Sequence, residues 1–258
     1  MKFSELMPNF RRLALISLAL LAAAVGPNIF PAAEAGYGNL AVFATDLLLP
    51  AIGVLAVIAA MSRKCEPAIA RSIIWGALAG ALATIPLEAV RIPGYLLGFM
   101  PGNLPRLMGV LLLNRFALGP SIASDIAGWA YHFWNGASFG IIYVLILGAA
   151  RRWAGVLYGI AVGVGFLVSP VVISLGVGYF GLQFSLGFPI TVLTAHIAFG
   201  LTLGLLAWRF LSSQPSPLFA ELRSMRTGNH SSATGDRRPL VPSRGPSATT
   251  RPDQPHNR

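Results

Sequence analysis

Residues 123–150 read ASDIAGWAYHFWNGASFGIIYVLILGAA, a stretch with one carboxylate, Asp125, and no lysine or arginine. Crossing the hydrocarbon core of a bilayer takes about 20 mostly apolar residues in a helix, and this stretch meets that requirement with length to spare. Working outward by the same rule gives six candidate spans, at 13–33, 39–61, 72–98, 123–150, 153–175 and 189–211. The expected fold class is therefore all-α, a polytopic transmembrane helical bundle of about six spans. Composition agrees: 55% of the 258 residues are hydrophobic, 11% are charged and the mean hydropathy is +0.67. A soluble domain carries about 25% charged residues.

The net charge of +10 suggests nucleic acid until the charges are placed. Seven of the nineteen Lys and Arg residues lie from residue 212 onward, and most others flank apolar segments. Membrane topology produces that distribution, so the expected partner is a lipid bilayer and not nucleic acid. Arg11 and Arg12, Arg63 and Lys64, Arg151 and Arg152, and Arg209 mark alternate ends of the spans. Basic loops stay inside, which predicts a bacterial inner-membrane protein with both termini cytoplasmic. Arg106 and Arg115 fall on the opposite side, in Leu104–Leu118, read as an amphipathic segment at the outer interface. The first span has two readings. It is a membrane helix made irregular by Pro27 and Pro31, or a cleaved secretory signal ending at Ala33-Glu34-Ala35. Residues 212–258, rich in Ser, Pro, Arg, Thr and Gly, are expected to be a disordered basic cytoplasmic tail. The single cysteine, Cys65, rules out a disulfide or a cysteine-based metal site within one chain.

Within the fourth span lies His132-Phe-Trp-Asn-Gly136-Ala-Ser-Phe-Gly140, and the sixth repeats its spacing as His196-Ile-Ala-Phe-Gly200-Leu-Thr-Leu-Gly204. Residues four apart stack on one helical face, so each motif sets an imidazole beside a glycine groove. Gly76 and Gly80 in the third span are matched by Gly155 and Gly159 in the fifth. The order glycine-pair helix, loop, histidine helix thus occurs twice, in the same sense. It predicts a parallel repeat about an axis along the membrane normal, with both imidazoles at similar depth. The competing account is chance, because Gly-x3-Gly is a common packing motif in membrane helices.

Ionisable groups inside a membrane are costly and mark functional sites by default. His132 shares a stripe with Asp125, Asn135, Gly136 and Tyr143. Glu88 and Arg91, three apart in the third span, can meet on one face, and Pro86 and Pro93 around them invite a helix break. The same charges could instead sit among headgroups at a helix end. Asp46 could bind a hydroxyl or backbone group, or pair with Arg91 or Arg106. Ser169-Pro170 predicts a kink. Polar-crevice candidates are thus His132, His196, Glu88, Arg91, Asp125 and Asn135.

The residues Gly76, Gly80 and Thr84, then His132, Gly136, Gly140 and Tyr143, then His196, Gly200 and Gly204 resemble small bacterial inner-membrane proteins of the YagU-like type. The resemblance covers about 70–210 and implies a four-helix core, with no established chemistry to borrow. The chain holds no phosphate loop, nucleophile elbow or His-Glu-x-x-His. Three functions stay open. The first is translocation of a small solute, ion or proton through a crevice between the repeats, with no cofactor. The second is a membrane cytochrome with His132 and His196 as axial ligands to haem b. The third is a structural or accessory subunit, a homo-oligomer or part of a membrane complex, docked through its glycine grooves.

Overall fold

The computed structural model describes residues 3–212 and 214–231, with side chains for 10–212 and 214–225. Its described residues form helices joined by loops, with no strand. Helix α1 spans Phe3–Glu34. The second crossing, Leu40–Cys65, is made of α2 (Leu40–Phe43), a wider π turn (Ala44–Leu48) and α3 (Leu49–Cys65). Then follow α4 (Pro67–Leu96), α5 (Leu104–Leu112), α6 (Ile122–Leu147), α7 (Ala154–Leu167), α8 (Pro170–Ser174), α9 (Gly187–Leu211) and α10 (Pro217–Ser231). Six helical segments are long and apolar enough to cross a membrane, as expected: Phe10–Glu34, Leu40–Cys65, Pro67–Leu96, Ile122–Leu147, Ala154–Ser174 and Gly187–Leu211. Large apolar side chains such as Leu21, Leu49, Ile85, Leu157 and Ile190 point outward, an arrangement that lipid tolerates and water does not. The chain is a multi-pass helical membrane protein.

Five prolines inside the crossings, Pro27, Pro31, Pro50, Pro86 and Pro93, leave their helices continuous, and a sixth, Pro170, does not. Pro50 has no N–H to return to the preceding turn, and the π turn at Ala44–Leu48 lies directly before it, where the ladder widens to i→i+5. Pro86 and Pro93 stay inside α4, which runs unbroken to Leu96; the expected helix break does not form. Pro27 and Pro31 likewise sit within α1, which continues to Glu34. Between α7 and α8 the chain does break, at Ser169-Pro170. The residue before a proline is driven out of the α region, and Ser169 is extended, with φ −74° and ψ 158°.

Helix α4 is the hub. It packs along α6 on one side and α9 on the other, while α7 packs along α9, and α1 covers α6 and α3. Glycines set the two closest crossings. A Cβ on Gly80 would collide with the Gly136 carbonyl oxygen, and one on Gly140 with that of Gly76. In α7 and α9, Gly155 and Gly200 obstruct each other in the same way, as Gly159 does the His196 carbonyl and Gly204 that of Arg152. With no hydrophobic drive between helices in lipid, such close approach supplies the dispersion contact that holds them.

At the end where α1 begins, Ser216 donates to the Leu145 carbonyl (3.1 Å), Gln214 donates to Ser72 (3.0 Å), and Arg12 bridges Glu66 (3.1 Å) and Glu221 (3.4 Å). These contacts seat α10 against α1 and α6, with Glu221 only 1% exposed. The expectation of disorder from residue 212 is corrected here: the buried glutamate and its arginine anchor a helix that composition alone did not signal. Residues 232–258 of that expected tail lie outside the described residues.

At the far end, the amphipathic stretch is the short helix α5, which Asn103 caps by accepting from the Arg106 N–H. It packs on α6 where Gly109 meets the Ser124 carbonyl and Gly128 the Pro105 carbonyl.

Candidate functional site

Helices α6 and α7 touch only lightly. Near their connecting loop the Tyr158 hydroxyl donates to the Phe139 carbonyl at 3.0 Å. Beyond that point lies a cavity of about 530 Å³, whose lining runs from Phe139 and Val162 to Met100, Leu104 and Pro170. Helices α1, α4, α5, α6, α7 and α9 all contribute to its wall.

An ionic cluster forms one side. Glu88 and Arg91 are 4% and 6% exposed. Arg91 donates through Nε to Glu88 Oε1 and through Nη2 to Glu88 Oε2, both at 2.7 Å. His132 Nε2 also meets Glu88 Oε1, at 2.7 Å. The carboxylate accepts only, so His132 donates through Nε2. The fork of two parallel bonds is the strong form of a carboxylate–guanidinium pair, and it neutralises two charges that would be prohibitive singly in this setting.

His196 reaches the same cavity from α9. Its Nδ1 donates to the Val192 carbonyl one turn back, at 2.8 Å. The ring rests over Gly163, where any Cβ would come within 3.1 Å of its Cγ, and stacks on Phe166 at 6.2 Å. Position along a helix follows from its rise. His132 lies ten residues into α6 and His196 nine into α9, so at 1.5 Å per residue each sits about 14–15 Å along its own helix from the first residue. Glu88, eight residues before the last of α4, lies about 12 Å from that helix's end.

Four of the six expected crevice residues, His132, His196, Arg91 and Asn135, line the cavity, and Glu88 is tied to two of them. Asp125 does not belong there. Its carboxylate takes Arg106 Nε and Nη2, both at 3.2 Å, at the entry turn of α6, and that bond raises the Arg106 pKa. Asp46 is exposed and accepts from the Thr45 hydroxyl at 2.9 Å. It pairs with neither Arg91 nor Arg106, because those guanidiniums are engaged by Glu88 and Asp125.

Sequence reasoning missed several wall residues. Asn28, Met108 and Phe166 gave no signal, and Ser169, identified as a kink, also faces this space. Asn135 Oδ1 and Ser169 Oγ are buried without a hydrogen-bond partner. Among the described residues, no group of three or more His, Cys, Asp or Glu side chains could hold a metal ion. Compared with protein-family models, curated proteins and solved structures, the chain matches none of them.

Proposed function

We propose that the protein translocates a small solute, ion or proton across the bacterial inner membrane through the cavity between α6 and α7, with both termini cytoplasmic. One observation carries this reading: a buried Glu88–Arg91–His132 cluster on the wall of a cavity that His196 also lines. Scaffolding alone does not call for such a cluster, because apolar side chains would fill the space at lower cost. The ring nitrogens of His132 and His196 border the same cavity, so two groups able to relay a proton lie along the path. Glycine pairs at both crossings favour α4–α6 and α7–α9 as two copies of one unit, with the histidine motifs set one turn out of step: Gly80 meets the Gly136 carbonyl where Gly159 meets that of His196.

Purified protein in sealed vesicles carrying an internal pH dye provides the test, with an imposed proton or solute gradient. Flux above that of empty vesicles is expected, falling at least tenfold when His132 and His196 are both alanine. No flux from well-folded protein, or flux indifferent to the double replacement, rejects the reading.

The haem alternative draws on His196 alone. Its Nδ1–H is held by a backbone carbonyl, the usual arrangement for a ligating imidazole, which leaves Nε2 available. His132 presents the opposite case, with Nε2 committed to Glu88. A Soret band in protein from haem-replete cells would favour that alternative over translocation.

A further inference from the structure

The chemistry of the cavity wall is lopsided. Phe30, Leu87, Met108, Phe166, Val171 and Phe199 make most of it hydrocarbon. Its charges are already spent on one another, since Glu88 takes both Arg91 nitrogens and the His132 N–H. A guest with a full charge would therefore find no free counter-charge in that cluster. A wholly apolar guest would leave polar capacity unused: with Nδ1–H given to Val192, the neutral His196 ring offers Nε2 only as an acceptor. Asn135 and Ser169, on the same wall, hold an amide oxygen and a hydroxyl that nothing in the protein satisfies. Two of these three groups only accept. The volume of about 530 Å³ falls in the range of sites that enclose a drug-sized molecule.

We infer that the cavity binds an uncharged amphipathic alcohol, a hydrocarbon body bearing at least one O–H that donates to His196 Nε2 or Asn135 Oδ1. This rests on the translocation reading, since it names the class of molecule the same cavity would carry. The ligand is recognised by two matches, hydrocarbon against the apolar wall and a donor against its acceptors. A lipid-borne alcohol and a water-borne one share this chemistry.

The experiment uses the full chain in lipid nanodiscs, photolabelled with a decanol carrying a chain diazirine. Its methyl ether and the corresponding decanoate are run in parallel. The alcohol is expected to label peptides of α6 and α7 at least tenfold more than either analogue. Replacing Asn135 by leucine and His196 by phenylalanine should shrink that preference to less than threefold. Suppression of labelling by excess hexadecanol points to a guest drawn from the bilayer, and suppression by hexanol to one drawn from water. Equal labelling by the ether, preference for the decanoate, or labelling confined to lipid-facing residues each overturns the inference. The analogue comparison needs only the native chain, so an unstable variant does not spoil it. Labelling also reads binding without flux: selective labelling with no transport removes translocation and leaves the guest, and transport without selective labelling does the reverse.

Discussion

The α4–α6 pair and the α7–α9 pair share one crossing and differ in what lies beyond it. In α4 the stripe runs Gly76, Gly80, Thr84, Glu88, and in α7 it runs Gly155, Gly159, Gly163, Leu167. Each glycine pair meets its histidine helix carbonyl to Cα. One turn further, Thr84 packs against Gly136, while Gly163 leaves room for the His196 ring. Two turns further, Glu88 binds His132, while Leu167 is a buried core residue. Where α4 then places Arg91, the later helix has reached Pro170 and ended. The same backbone contact thus serves a charged half and an apolar half. The packing needs the glycines and the imidazole tolerates either neighbour, so the ionic cluster is an addition the crossing does not require.

That difference can be broken directly. Glu88→Leu gives α4 the residue that α7 has, but leaves Arg91 buried without its carboxylate. Removing one partner of a buried pair typically costs about 3–5 kcal/mol. Replacing Glu88 and Arg91 together by leucine removes both charges and leaves only the His132 Nε2–H without its acceptor, so the loss should fall to about 1–2 kcal/mol. Reversible unfolding in mixed micelles, with the single and double variants side by side, measures both. A double variant as unstable as the single one would mean that the pair holds the fold and is no addition.

Much of this contrast is visible in the sequence, because it lies along single helices. Hydropathy locates the six crossings, and four-residue spacing places the glycines and histidines on faces. Spacing of three also puts Glu88 beside Arg91, as found. What stayed hidden depends on which helix lies next to which. The Glu88–His132 bond joins residues 44 apart in the chain, and no local pattern encodes it. Pro86 and Pro93 look like helix breakers until neighbouring helices hold α4 continuous, as protein-buried membrane helices allow. Asp125 shares a face with His132 in projection, yet it sits two turns nearer the helix end, where Arg106 claims it. Glu221 reads as one more tail charge, and only tertiary contact with Arg12 makes it a buried anchor.

If the crossings are equivalent, equal damage to them should have equal consequences. Alanine at Gly80 pushes a methyl into the Gly136 carbonyl, and alanine at Gly159 does the same at the His196 carbonyl. Overpacking of this kind costs about 1–3 kcal/mol, and the two variants should fall within about 0.5 kcal/mol of each other. Gly53, where an added methyl would meet nothing within 4 Å, supplies the control: its alanine variant should match or slightly exceed native stability, given the helix preference for alanine. Unequal losses at Gly80 and Gly159 would show that one crossing bears more of the fold, and would weaken the argument that they are copies.

The smallest effect belongs to a third comparison, between two forked arginine–carboxylate pairs in different surroundings. Arg91 and Arg106 each hold a carboxylate through Nε and Nη2, the first at 2.7 Å and the second at 3.2 Å. The Arg106 side chain is 55% exposed and that of Arg91 is 8%. Water solvates both partners of the exposed pair before and after it breaks, and salt screens what attraction remains. Arg106→Gln should therefore leave the unfolding midpoint unchanged within error, at low salt and at high salt alike. The test discriminates because the bonding pattern is held constant and only the medium changes. A loss approaching that of Glu88→Leu would mean that Arg106 and Asp125 close the far end of the cavity, and that the polar site extends beyond Glu88, Arg91 and the two histidines.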